Sequence, residues 1–187
     1  LCDNLPFALT AAQERVCREL LADMAAPRPM QRLLQGDVGS GKTVVAALAA
    51  ARAIESGWQA ALMAPTELLA EQHFGRIAQW LAPLDVRVTW LAGRLTAAGK
   101  RKAQAEVADG SARLVIGTHA LIQEAVSFDK LGLAIIDEQH RFGVAQRLEL
   151  RRKLSAQPPD APGEAAAAGG GPLEPHLLMM SATPIPR

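Results

Sequence analysis

The chain has 187 residues, 49% of them hydrophobic and 21% charged, which is enough for one well-buried domain and short for two. A formal net charge of +1 excludes an overall positive field that would draw the chain to nucleic acid or to an anionic membrane, so any polyanion contact must come from a local patch. Cys2 and Cys17 match no metal or redox spacing, no signal peptide is visible, and no apolar run approaches the ~20 residues of a membrane span. The cytoplasm is the simplest compartment. The opening at Leu1, without an initiator Met, and the stop at Pro184-Ile185-Pro186-Arg187 suggest a piece of a longer protein.

In chain order, Thr10 and Gln13 form a T-x-x-Q capping box that starts a helix with Val16, Leu20 and Met24 on one stripe, ended by Pro27 and Pro29. Met30 to Gln35 reads as a short strand. Gly36-Asp37-Val38-Gly39-Ser40-Gly41-Lys42-Thr43 then fits the phosphate-loop pattern G-x-x-x-x-G-K-[ST] at every fixed position. Glycines let the backbone curl so that N–H groups converge on phosphate oxygens. Lys42 adds a mobile charge for the β- and γ-phosphates, and the Thr43 hydroxyl is placed to ligate Mg²⁺. Val44 to Ala53 is almost entirely apolar, as a buried helix with its N-terminus on the phosphates should be.

Beyond Gly57, Ala60 to Ala64 reads as a buried strand, and Thr66 caps a helix running to about Leu81, with Pro83 at its end. Val86 to Leu91 is a further strand and Ala97 to Ala108 a polar helix. Leu114-Val115-Ile116 and Leu133 to Ile136 are short apolar runs of the kind found in central parallel strands. Val144 to Leu154 reads as a helix, and Leu177 to Met180 as the last strand. Ser155 to Pro175, with five prolines, four consecutive alanines and three consecutive glycines, lacks apolar residues to pack and reads as a disordered insertion or a lid.

Strands alternating with helices imply an α/β fold, a central, mostly parallel sheet with helices on both faces, whose ligands sit beyond the carboxyl ends of the strands. The unusual residues collect there: Gly36 to Thr43, Pro65-Thr66, Gly93-Arg94, Gly117-Thr118-His119, Asp137-Glu138 and Ser181-Ala182-Thr183. Asp137 leaves a buried strand, where it would hold Mg²⁺ through its water shell, and Glu138 would position the attacking water. Gln13 has two readings that need not compete, as a cap and as an adenine reader. His140, Ser181 and Thr183 are polar groups at strand ends that could sense a γ-phosphate or serve as ordinary caps. His73 and His176 read as surface or packing residues. Arg147, Arg151, Arg152 and Lys153 read as a solvated helix face, whereas Arg94, Lys100, Arg101 and Lys102 lie near the strand-end edge and suit nucleic-acid phosphates. With no Tyr, four Phe and three Trp, base stacking is secondary to backbone contact.

Together these segments resemble the first motor domain of superfamily 2 helicases, and within them the bacterial branch that remodels branched DNA. The resemblance rests on Gln35 to Thr43, Ala64 to His73, Gly117 to Ala120, Ile136 to Val144 and Ser181 to Arg187. Transcription-repair coupling translocases share most of these motifs but usually carry a second Glu where this chain has Gln139. The resemblance implies a RecA-like P-loop domain over residues 1–187, with the insertion at 155–175. It implies ATP and Mg²⁺ as cofactors, with Lys42, Asp137 and Glu138 catalytic and Thr43 and Asp137 on the metal. Leu9, Gln13, the loop from Gly36 to Thr43 and His140 would bind nucleotide. Pro65, Thr66, Gly93, Arg94, Thr118 and His119 would touch the DNA backbone, and His140, Ser181 and Thr183 would couple nucleotide state to domain movement. It implies as partners branched duplex DNA, a second motor domain carrying an arginine finger and an N-terminal wedge domain of the same parent chain, a monomer with no membrane association. Two other classes share the loop: a P-loop kinase or small GTPase, which would not need Ser181-Ala182-Thr183, and a non-enzymatic nucleic-acid-binding module, which would be indifferent to Lys42.

Overall fold

A computed structural model describes residues 5–118, 121, 126–138 and 174–182. Among these, six parallel strands form one sheet: β1 (Gln31–Gln35), β2 (Gln59–Met63), β3 (Val88–Leu91), β4 (Leu114–Gly117), β5 (Leu131–Ile136) and β6 (His176–Ser181), in the order β1-β6-β5-β2-β4-β3. Helix α1 (Ala11–Met24) leads into β1, and α2 (Lys42–Glu55), α3 (Glu67–Leu81) and α4 (Ala97–Ala108) connect the first four strands. This is the expected α/β architecture. The strand expected at Val86 to Leu91 begins at Val88, and the one expected at Leu133 begins two residues earlier.

Topology decides which helix covers which face. The steps from β1 to β2 and from β2 to β3 run one way across the sheet, and the step from β3 to β4 runs back. Right-handed crossovers therefore put α2 and α3 on one face and α4 on the other. The core follows. Leu62, Leu114, Ile116, Leu133, Ile135, Leu178 and Met180 meet α1, α2 and α3 on the first face. Met63, Val115 and Ile136, their neighbours along the same strands, meet Ala103 and Val107 of α4 on the second. Covered on both sides, β2 and β4 are buried at every position, which is why they read as unbroken apolar runs.

Local chemistry fixes the ends. Thr10 Oγ1 accepts the Gln13 N–H and Gln13 Oε1 accepts the Thr10 N–H, closing the capping box of α1. Thr66 and Thr96 cap α3 and α4 through their hydroxyls. The buried Gln59 amide bonds the carbonyls of Val107 and Ala112 and accepts the Lys130 N–H, so its burial costs little. His176, expected at the surface or in packing, accepts the Met30 N–H on Nδ1 at 2.8 Å, tying β6 to the entry of β1, and burial pushes its imidazole below the usual histidine range. Pro175, the last residue of the segment expected as an insertion, is buried. The rest of that insertion except Glu174, the expected helix Val144 to Leu154, and His119, His140, Arg141, Thr183 and Arg187 lie outside the described residues.

Candidate nucleotide site

All six strands run parallel, so their carboxyl ends fall on one edge, and loop hydrogen bonds extend the register past the strands. Gly36 N–H reaches Ser181 O at 3.2 Å, Ala64 N–H reaches Gly117 O at 2.9 Å and Asp137 N–H reaches Met63 O at 2.8 Å. A cavity of about 650 Å³ opens there, lined among others by Gln13, Gly39, Gly41, Lys42, Thr43, Asp137 and Glu138.

The loop between β1 and α2 forms a cradle. Gly39 (φ +84°) and Gly41 (φ +82°) are left-handed, which side chains rarely tolerate. A Cβ on Gly41 would also lie 2.2 Å from Gln13 Nε2, so a side chain there would have to push the Gln13 amide aside as well as adopt a strained backbone. Gly41 leaves α2 without a side-chain cap, and the first N–H groups of that helix are free to meet an anion. Lys42 Nζ turns back into the loop and donates to Gly36 O at 2.6 Å and Asp37 O at 2.8 Å. The cradle thus already holds one cationic group against its own carbonyls, beside donors suited to phosphate. Val38 is 90% exposed at the tip.

Across the cavity, Asp137 Oδ1 accepts the Glu138 N–H at 2.9 Å, and Glu138 adopts a left-handed φ of +51°, an uncommon conformation for a glutamate. Among the described residues no three His, Cys, Asp or Glu side chains cluster closely enough to hold a metal on protein ligands alone. A Mg²⁺ ion held by Thr43, Asp137 and phosphate oxygens fits that donor set, because Mg²⁺ uses one or two carboxylates plus substrate phosphates rather than an all-protein cage.

The cavity gathers the loop, Gln13, Asp137 and Glu138, but not every candidate. Leu9 packs against the core and lines a separate, mostly apolar cavity of about 600 Å³ with Cys17, Leu21 and Leu48. Gln13 uses half of its amide inside the chain, with Oε1 on Thr10 N–H and one Nε2 hydrogen donated to Ser40 O at 3.0 Å, and it lines the cavity. Thr118 and Ser181 are buried at the ends of β4 and β6. Thr66 commits its hydroxyl to Leu69 N–H, while the half-buried Pro65 precedes it. Gly93 donates its N–H to Glu67 Oε1 at 2.6 Å. Arg94 pairs with Glu71 at 2.6 Å and lies 4.8 Å over the Trp90 ring.

Phe7, Arg76 and Trp80 at the cavity, and His73 behind Asp137, are given no role at the site by the sequence reading. Phe7 packs edge-on against Trp80, with ring centroids 5.9 Å apart, and Arg76 lines the same wall. His73, expected at the surface or in packing, is buried with Nε2 2.6 Å from Asp137 Oδ2. The signal was present: positions 73, 76 and 80 share one stripe of α3 at i, i+3, i+7 spacing.

Residues 10–187 match the profile of the DEAD/DEAH box helicase family. The chain belongs to that family. This helicase domain is 53% identical over 183 residues to the ATP-dependent DNA helicase RecG of Escherichia coli K12, a match covering 98% of this chain and 24% of that protein. It is 50% identical to RecG of Synechocystis over 185 residues, 99% of this chain and 20% of the relative. The solved structure of RecG bound to a three-way DNA junction superposes with a TM-score of 0.78 at 44% identity, covering 98% of this chain and 22% of that one. The helicase domain thus spans about a quarter of the length of these relatives. No helix among the described residues is long and apolar enough to cross a membrane.

Proposed function

We propose that this chain is a single RecA-like domain over residues 1–187, the ATP-binding first motor domain of a DNA helicase that remodels branched DNA such as forks and Holliday junctions. The observation that carries the proposal is the opening of the phosphate cradle and the Asp137-Glu138 pair onto one cavity. The loop from Gly36 to Thr43 would hold the phosphates through backbone N–H groups at its α2 end, and Lys42 would swing from its loop carbonyls to the β- and γ-oxygens. Thr43 and Asp137 would hold Mg²⁺, which when bound neutralises phosphate charge. Glu138 would orient and deprotonate the attacking water. Gln13 would read adenine through its second Nε2 hydrogen and its second Oε1 lone pair, while Leu9 would act by packing behind α1.

At the outer edge, Pro65, Thr66, Gly93, Arg94, Thr118 and His119 would follow the DNA backbone, and His140, Ser181 and Thr183 would relay nucleotide state. The remaining partners would be a second motor domain and an N-terminal wedge domain of the same chain, for which relatives about four times as long leave room, in a cytoplasmic monomer. An arginine from a second domain is worth about 10³ to 10⁵ in turnover. The 187-residue chain should therefore bind ATP·Mg²⁺ and barely hydrolyse it, with or without DNA. Phosphate release from this chain, compared with a protein extended through the following domain, tests the reading, and equal DNA-stimulated rates would overturn it. In the longer protein Glu138→Gln should keep nucleotide binding and lose about 10²- to 10⁴-fold in hydrolysis.

A further inference from the structure

We infer that His73 is the positioning residue that sets the Asp137 carboxylate for the metal, an inference that rests on the nucleotide reading above. A carboxylate only accepts, so at 2.6 Å the His73 Nε2 carries the hydrogen and donates it to Oδ2. Oδ1 takes the Glu138 N–H, and each oxygen therefore holds one hydrogen bond from a different direction. That fixes the carboxylate plane and leaves its remaining lone pairs for the cavity.

The surroundings distinguish this from a histidine that merely fills space. His73 and Asp137 lie 64 residues apart, and their side chains are only 10% and 13% exposed. An apolar side chain would fill the same volume more cheaply, because a buried polar group needs a partner. The partner found is the carboxylate that follows β5 into the cavity. The helix carrying His73 is itself held firmly. Ala70, Ile77 and Leu81 are buried on its core face, and Glu67 and Glu71 are bonded to Gly93 and Arg94. A ring on such a helix can hold a carboxylate to one rotamer, as outer-shell donors do for metal ligands generally.

The test uses Mn²⁺ as the metal and ADP as the nucleotide, on the whole 187-residue chain. Free Mn²⁺ is followed by electron paramagnetic resonance, and metal-free ADP binding is measured separately. In His73→Leu and His73→Asn the Mn²⁺ midpoint should rise by about 10- to 100-fold, with metal-free ADP binding unchanged, and His73→Gln, whose amide N–H reaches nearly as far, should return to within about threefold of wild type. If His73→Leu fails to fold by circular dichroism, the equally polar Asn and Gln variants decide between them. Midpoints for Asn or Leu within about threefold of wild type overturn the inference. Should wild type bind no Mn²⁺·ADP, or Lys42→Ala bind it equally well, the nucleotide reading itself fails and the inference falls with it.

Discussion

The phosphate cradle and the Gly93-Arg94 loop sit on the same edge of the sheet, yet the chain fills them with opposite charge. In the cradle the internal guest is a cation, Lys42, donating to the carbonyls of Gly36 and Asp37. At the outer loop the guests are anions, Glu67 on the Gly93 N–H and Glu71 on Arg94. An incoming phosphate is attracted by the first arrangement and meets competition in the second. On the reading proposed above, nucleotide and nucleic acid would bind by different rules: the cradle would offer its cation to an incoming anion, and the outer loop would first have to give up its own carboxylates.

The sharpest way to break this comparison is to remove the internal cation. Lys42→Ala deletes charge-assisted bonds worth about 1.5–3 kcal/mol, so ADP affinity should fall by about 10- to 100-fold. Calorimetric titration checks it, and an unchanged affinity would mean the cradle does not use its lysine.

A smaller effect is expected from the backbone. Gly41→Ala forces a side chain into a left-handed position and against the Gln13 amide, and should cost about 1–2 kcal/mol in denaturant unfolding. Combined with Gln13→Ala the cost should shrink, because the collision disappears while the φ penalty remains. Additive losses would show that Gln13 does not bear on the loop.

The smallest change is at the outer loop. Arg94 and Glu71 are about half exposed, so their ion pair is worth only about 0.2–1 kcal/mol. Glu71→Ala should barely alter stability and should raise affinity for a branched DNA duplex by up to about fivefold, as the competitor is gone. Weaker DNA binding in that variant, measured by anisotropy at fixed salt, would reverse the comparison by making Glu71 a support for Arg94 rather than a rival to phosphate.

The two regions also differ in how far they could be read from sequence. The cradle is contiguous. Eight residues, Gly36 to Thr43, carry both its backbone curvature and its chemistry, so pattern alone determined it, and the short apolar runs around it determined a buried parallel sheet. The capping box of α1, the Thr66 cap of α3 and the proline and glycine breakers marked helix ends for the same reason, since each acts within a few residues of itself. The outer loop could be named, but its state could not, because Glu67 and Gly93 are 26 residues apart and nothing in either segment announces the other. Strand order, the right-handed crossovers that put α4 alone against the far face among the described helices, and the meeting of His73 with Asp137 across 64 residues were decided only by tertiary structure. Sequence periodicity says which face of α3 is apolar. What that helix finally touches depends on which strand lies beneath it, and that is a property of the whole sheet.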